Sequence, residues 1–144
     1  MLPDRGLLLG APVEVPDTAP DALAFAKNLL MDGRFGDADT ALAQIQENFA
    51  GTPEAAEALF WRGETQYAAH NYNAAKDFYI DSIRADPEGA RAADAMVALA
   101  ASLHAMGVNA EACSVIVAFP SQYPEANLPL RQKADRVRQD AGCS

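Results

Sequence analysis

The sequence predicts an all-α protein built from tandem pairs of antiparallel helices. Alanine is abundant in the chain of 144 residues, half of which are apolar, and this composition favours closely packed helices over sheet. Apolar and small residues also recur every three or four positions over 58–69 and again over 72–83, with a polar break at His70 and Asn71. A chain of this length fits one domain.

The strongest pattern lies between Ala56 and Pro87. Gly63 and Ala75 are small enough to let two helices approach closely, and Leu59 and Tyr79 are predicted to fill the core beside them. This arrangement is typical of the tetratricopeptide repeat, a helix–turn–helix unit with a period of about 34 residues. We therefore predict a right-handed superhelix of three such repeats, closed by a C-terminal capping helix.

Helix-start and helix-stop signals divide the chain. Residues 1–17 contain several turn signals without periodicity and are interpreted as a flexible linker. The predicted repeat domain covers residues 18–144, with repeats over about 20–52, 53–86 and 87–123 and a capping helix over about 128–141. Gly33 and Gly36 are expected to break the chain before a second helix that begins at Asp37.

Two sets of anchor residues are predicted to occupy equivalent places in the three repeats. Each set is spaced by 34 and then 37 positions: Ala41, Ala75 and Ala112, and Pro53, Pro87 and Pro124. Thr52 and Pro53 form a helix-start signal, which Asp86 and Pro87 are expected to repeat. The three extra residues of the third repeat are therefore placed in a longer first helix, residues 88–105.

The last predicted helix differs from the others. Leu130, Ala134 and Val137 are its apolar positions, and much of the rest is charged. Because a stack of helix pairs has an exposed apolar end, an amphipathic helix with a polar outer face would cover it. The basic residues of this helix are interpreted as that solvated outer face: Arg131, Lys133, Arg136 and Arg138.

Composition and motifs argue against several functions. A net charge of −9 and a pI of about 4.5 disfavour binding to nucleic acid or an anionic membrane surface. No apolar run approaches the roughly 18–20 residues of a membrane span, and Leu7–Leu9 is too short for a signal-peptide core. We find no phosphate loop, nucleophile elbow or zinc-binding spacing. We therefore predict a protein without catalytic residues, cofactor or metal, with a metal or enzyme site at His104 as the alternative.

The first helix of each pair in such a stack lines a groove that can hold another polypeptide. The positions predicted to face it are Glu57, Phe60, Glu64 and Tyr67 in the second repeat, and Asp94, Val97, Ala101 and His104 in the third. Aromatic and acidic side chains would suit a peptide with basic and apolar groups. The alternative is that Phe60 and Tyr67 only pack on a neighbouring repeat. Trp61 lies one position from the groove and is assigned to packing.

The two cysteines, Cys113 and Cys143, leave two alternatives open. They could form one disulfide, or they could be two buried, inert thiols.

Four segments of the chain resemble the C-terminal repeat domain of the YbgF/CpoB family of Tol-Pal system proteins, in its alphaproteobacterial form. These segments are AEALFWRGE at 56–64, ADPEG at 85–89, EAC at 111–113 and AGC at 141–143. The resemblance covers about residues 20–144. It implies a non-catalytic periplasmic scaffold that binds TolA and helps to couple outer-membrane constriction to peptidoglycan synthesis during division.

The resemblance has two further implications. An oxidising periplasm favours a disulfide between Cys113 and Cys143. Family members trimerise through an N-terminal coiled coil, which is not recognised in this sequence, so trimerisation is not carried over to this chain. A subunit of another envelope assembly complex, of the outer-membrane lipoprotein type, is the alternative with the same fold.

Overall fold

The computed structural model describes residues 13–144, and over that range it contains seven α-helices and no strand. The helices are α1 (Ala19–Met31), α2 (Phe35–Asn48), α3 (Pro53–Ala68), α4 (Tyr72–Ala85), α5 (Ala92–Ala105), α6 (Asn109–Gln122) and α7 (Leu128–Asp140). Each helix packs on the next, and α1, α3 and α5 also contact each other in sequence. The prediction of an all-α fold is confirmed.

Three helices begin with a side-chain cap and a proline in the first turn. The caps are Thr18, Thr52 and Asn127, and the side-chain oxygen of each accepts a hydrogen bond, 2.9 to 3.3 Å long, from the amide three residues further on. These bonds satisfy amides that have no partner within the helix, and proline fits the first turn because it lacks an amide hydrogen. The predicted helix start at Thr52 and Pro53 is confirmed.

The first helix of each pair ends in the same way. Gly33, His70 and Gly107 all have left-handed backbone conformations, with φ of 77°, 64° and 80°. In the first pair the Gly33 amide donates to Leu30 O at 3.0 Å and the next amide donates to Leu29 O at 2.9 Å. The same two bonds recur in the other pairs, and they define a Schellman motif.

These turns set the repeat register at 37 residues in both intervals. The second helices have 14 residues each and begin 37 residues apart. Their buried faces follow the same spacing, at Ala38, Ala75 and Ala112, then Leu42, Tyr79 and Ile116, then Ile45, Ser82 and Phe119. The predicted alignment, in which Ala41 corresponds to Ala75, is therefore wrong by one helical turn. Ala41 is also buried, so alanine alone could not distinguish the two alignments.

The predicted starts of two helices are corrected. Helix α5 begins at Ala92, because Pro87 initiates a turn in which the Gly89 amide donates to Asp86 O at 2.9 Å. The prediction of a longer first helix in the third repeat is therefore wrong, since α5 has 14 residues and α3 has 16. Helix α2 begins at Phe35, so Gly36 lies in its first turn and does not break it.

The N-terminal segment of the described chain packs on the first helix pair. Val13 and Val15 contact the core formed by α1, α2 and α3, and Gln44 Nε2 donates to Val13 O at 3.0 Å. The last residues of the predicted linker are therefore part of the folded unit. Its other residues, with the Leu7–Leu9 segment, lie outside the described residues.

Helix α7 covers the end of the stack on α5 and α6. Leu130, Ala134 and Val137 are buried there, as predicted. A disulfide joins Cys113 on α6 to Cys143 just after α7, with an S–S distance of 2.03 Å. The predicted pairing of the two cysteines is confirmed.

Candidate functional site

Trp61 lies at the centre of a surface shared by α1, α3 and α5, which we call the first-helix face. The half-buried indole Nε1 donates to Glu57 Oε2 at 2.9 Å, and Lys27 Nζ lies 3.5 Å from the same carboxylate oxygen. Lys27 Nζ is 5.2 Å from the centre of the indole, and the Arg91 guanidinium is 5.3 Å from it. Residues from three successive first helices or their flanks therefore meet around one aromatic ring.

The charges around Trp61 alternate in sign. Arg91 also pairs with Asp94, at 3.6 Å, and both of these side chains are about one-third exposed. Partly exposed ion pairs and cation–π contacts each contribute only about 0.2–1 kcal/mol. These contacts therefore orient the indole while adding little to the stability of the fold.

Two residues predicted to face a groove are instead core residues. Phe60 is 4 % exposed and packs with Tyr79 at a ring-centre distance of 5.9 Å, and Val97 is fully buried. These two predictions are wrong, because both side chains point into the stack from a first helix. Successive helical residues are separated by about 100°, so Trp61, the next residue after Phe60, reaches the first-helix face. Leu59, predicted to be a core residue, is only half-buried.

Other predicted groove residues are half-buried and take part in local contacts. Glu64 Oε1 accepts a hydrogen bond of 2.6 Å from the Tyr79 hydroxyl, and the Tyr67 ring lies edge-on to Tyr72 with centres 5.0 Å apart. Burial, followed by the neighbouring Tyr72 and Glu64, raises the pKa of Tyr67. His104 Nδ1 lies 2.8 Å from the Asn109 side-chain oxygen, and Ala101 is half-buried nearby.

A pocket of about 580 Å³ opens beside Asp94, between the turn that precedes α5 and the loop that follows α6. Glu88 and Glu125 also line it, and Tyr123 forms a wall that is fixed by a 3.0 Å hydrogen bond from its hydroxyl to Pro87 O. We call it the acidic edge pocket. It places the carboxylates of Asp94, Glu88 and Glu125 at the edge of the first-helix face, an arrangement that suits a basic side chain.

Trp61 packs against two core clusters, which confirms its assignment to packing, but its contacts with Lys27 and Arg91 were not predicted. The spacing of four residues between Glu57 and Trp61 was a usable signal, because side chains four apart meet on one side of a helix. No comparable signal linked Lys27 or Arg91 to Trp61, since those contacts depend on how successive repeats stack.

Within residues 13–144 no group of three or more histidine, cysteine or acidic side chains is placed to hold a metal ion. None of the helices described is long and apolar enough to cross a membrane. No protein-family model matches the sequence, and a search of curated proteins found no match. The tetratricopeptide assignment and the resemblance to the YbgF/CpoB family therefore stay predictions.

Proposed function

We propose that this chain is a non-catalytic interaction scaffold whose first-helix face binds a partner polypeptide. The observation that carries the proposal is the half-buried Trp61, which lies between the partly exposed cations of Lys27 and Arg91. Binding hot spots are enriched in tryptophan and arginine and lie at the centre of a ring of weaker contacts. The first-helix face has this composition.

The repeated architecture supports a scaffold of the tetratricopeptide type, a right-handed superhelix. Three helix pairs share one register, with equivalent turns at Gly33, His70 and Gly107. Solenoids of stacked helix pairs create extended surfaces on which other chains bind. The period of 37 residues exceeds the usual 34 for a different reason in each interval: α3 has 16 residues in the first, and the connection between α4 and α5 covers 86–91 in the second.

The partner should carry basic and apolar groups. Glu57, Glu64 and Asp94 lie on or beside the first-helix face, and the acidic edge pocket adjoins it. A chain with a net charge of −9 also attracts basic partners over a distance before contact is made. The half-buried ring of Trp61 supplies the apolar part of the contact.

The disulfide is consistent with an oxidising compartment. Together with the resemblance of its segments to the YbgF/CpoB family, it supports a periplasmic location and a role beside the Tol-Pal machinery. In that role the chain would bind TolA and help to coordinate outer-membrane constriction with peptidoglycan synthesis.

The test is calorimetric titration of the chain with the TolA ectodomain. Arg91→Ala removes a cation that lies over Trp61, and Arg84→Ala is the matched control because Arg84 is exposed at the end of α4. We expect Arg91→Ala to raise Kd by about fivefold or more, because Trp61 loses a contact that orients it, and Arg84→Ala to change Kd by less than about twofold. Absence of binding would contradict the proposed partner. Equal effects of the two variants would contradict the proposed site.

A further inference from the structure

A second surface lies at the far end of the stack, between α6 and α7. This α6–α7 groove has a volume of about 210 Å³ and an apolar floor that includes Ile116, Phe119 and Leu128. Leu128 is 56 % exposed at the edge of the groove, and Ile116 and Phe119 lie almost fully buried beneath it.

Polar side chains of α7 line this junction and leave it open. Helix α7 begins 36 residues after α5, and its left-handed turn at Gly142 follows the turn at Gly107 by 35, so it does not keep the 37-residue register. Gln132 and Asp135 line the groove and are exposed. Burying these polar groups without partners would be costly, so they remain in contact with water and do not fill the space beside α6.

The rim of the α6–α7 groove is basic. Arg131 and Arg138 line it together with one carboxylate, that of Asp135. Arg138 Nη2 also donates to Ser144 O at 2.7 Å, which holds this side chain at the rim. Helix α7 carries four of the eleven lysine and arginine residues of a chain whose net charge is −9. The positive charge is therefore concentrated at this end of the molecule.

We propose that the α6–α7 groove binds an acidic amphipathic segment of a protein partner. An apolar side chain of that segment enters the space above Leu128, and its carboxylates lie against Arg131 and Arg138. The volume is below the roughly 300–1,000 Å³ of most small-molecule sites, which suits the anchoring side chain of a peptide. This site is independent of the first-helix face, so one chain can hold a basic and an acidic segment at the same time.

The test uses the full chain, with its disulfide intact, and fluorescence anisotropy of two labelled helical peptides. The first peptide has leucines on one side and glutamates on the other, and the second has lysines in place of the glutamates. We expect saturable binding of the glutamate peptide and a Kd about tenfold higher for Leu128→Ser and for Arg131→Glu. The controls are Met106→Ser, an exposed apolar residue at another turn, and Lys133→Glu, which makes the same charge change on α7 outside the groove.

Several outcomes would overturn the proposal. They are no saturable binding of the glutamate peptide, equal binding of the lysine peptide, and equal losses in the controls. Self-association of the chain that Leu128→Ser abolishes would identify a second copy as the occupant and would also overturn it. Because no TolA is present in this assay, its failure leaves the first-helix face untouched.

Discussion

The ring of Tyr79 occupies the space that a side chain at Gly63 would need. A β-carbon built on Gly63 would lie 2.5 Å from Cε1 and 2.7 Å from Cδ1 of that ring. Tyr79 is fully buried, and its hydroxyl donates to Glu64 at 2.6 Å, so the ring has nowhere to move. This contact sets the distance between α3 and α4, and α3 is the helix that carries Trp61.

Gly63→Ala is expected to destabilise the fold by about 1–3 kcal/mol, the usual cost of overpacking a core. The matched control is Gly36→Ala, because a β-carbon there would meet nothing within 4 Å. Since glycine is unfavourable in a helix, that control should gain about 0.5–1 kcal/mol. The measurement is the free energy of unfolding in urea. A neutral or stabilising Gly63→Ala would contradict the packing of α3 on α4.

His70→Gly is expected to stabilise the fold by up to about 1 kcal/mol. His70 has a φ of 64°, and the equivalent places in the other two pairs are glycines. A left-handed conformation costs a residue with a β-carbon about 1–2 kcal/mol, which glycine avoids at a smaller entropic cost. The loss of the stacked contact with Tyr72 reduces the gain. Thermal unfolding monitored by circular dichroism tests this. A clear loss of stability would show that the histidine ring stabilises the turn.

The stability of the fold should fall as the pH rises above about 10. Burial, and then the charge and hydrogen bond of Glu64, raise the pKa of Tyr79 above its ordinary value, and burial also raises those of Tyr67 and Tyr123. In this range the unfolded chain releases protons that the folded chain retains, so each rise in pH favours unfolding. The slope for Tyr79 alone approaches about 1.4 kcal/mol per pH unit.

Tyr79→Phe should reduce this alkaline loss, and Tyr72→Phe, at the half-buried turn position, is the control. The free energy of unfolding is measured by urea titration from about pH 8 to about pH 12. If the free energy of unfolding of Tyr79→Phe falls with pH as steeply as that of the unmodified chain, the fold does not raise the pKa of Tyr79.

Removal of the disulfide should cost about 3–4 kcal/mol, since the two cysteines are separated by 30 residues. The double variant Cys113→Ser/Cys143→Ser is compared with the oxidised chain by urea unfolding. Amides of α7 should exchange with solvent faster in the variant, whereas those of α1 and α2 should not change, because α7 contacts only the last helix pair. Uniform acceleration across all helices would contradict a local role for the bond.

Much of the fold could be predicted because local signals agree with it. Thr18 and Thr52 precede helices, apolar residues recur every three or four positions in α3, α4 and α7, and Gly107 marks a turn. The register could not be fixed in this way. Ala38 and Ala41 lie on one side of α2 and both are buried, so either could match Ala75. The prolines also suggested a wrong alignment of the repeats, since Pro53 begins a helix whereas Pro87 begins a turn.

The candidate site was predicted on the correct helices, but some of the residues assigned to its surface lie on the buried side of those helices. In α3 Phe60 is buried and the adjacent Trp61 is half-buried. Composition alone does not say which of the two aromatic residues enters the core. The choice depends on α4 and α5, which receive Phe60 beside Tyr79. Contacts between successive repeats, such as those of Lys27 and Arg91 with Trp61, follow from stacking and have no signature within one helix.

The most direct test of the first-helix face uses the single tryptophan of the chain. Labelling with 5-fluorotryptophan gives one fluorine resonance, which reports on Trp61. We predict that adding the unlabelled TolA ectodomain shifts or broadens this resonance until one partner is bound per chain, and that Arg91→Ala raises the concentration required. An unchanged resonance at partner concentrations where calorimetry shows binding would contradict the assignment of the first-helix face as the binding surface.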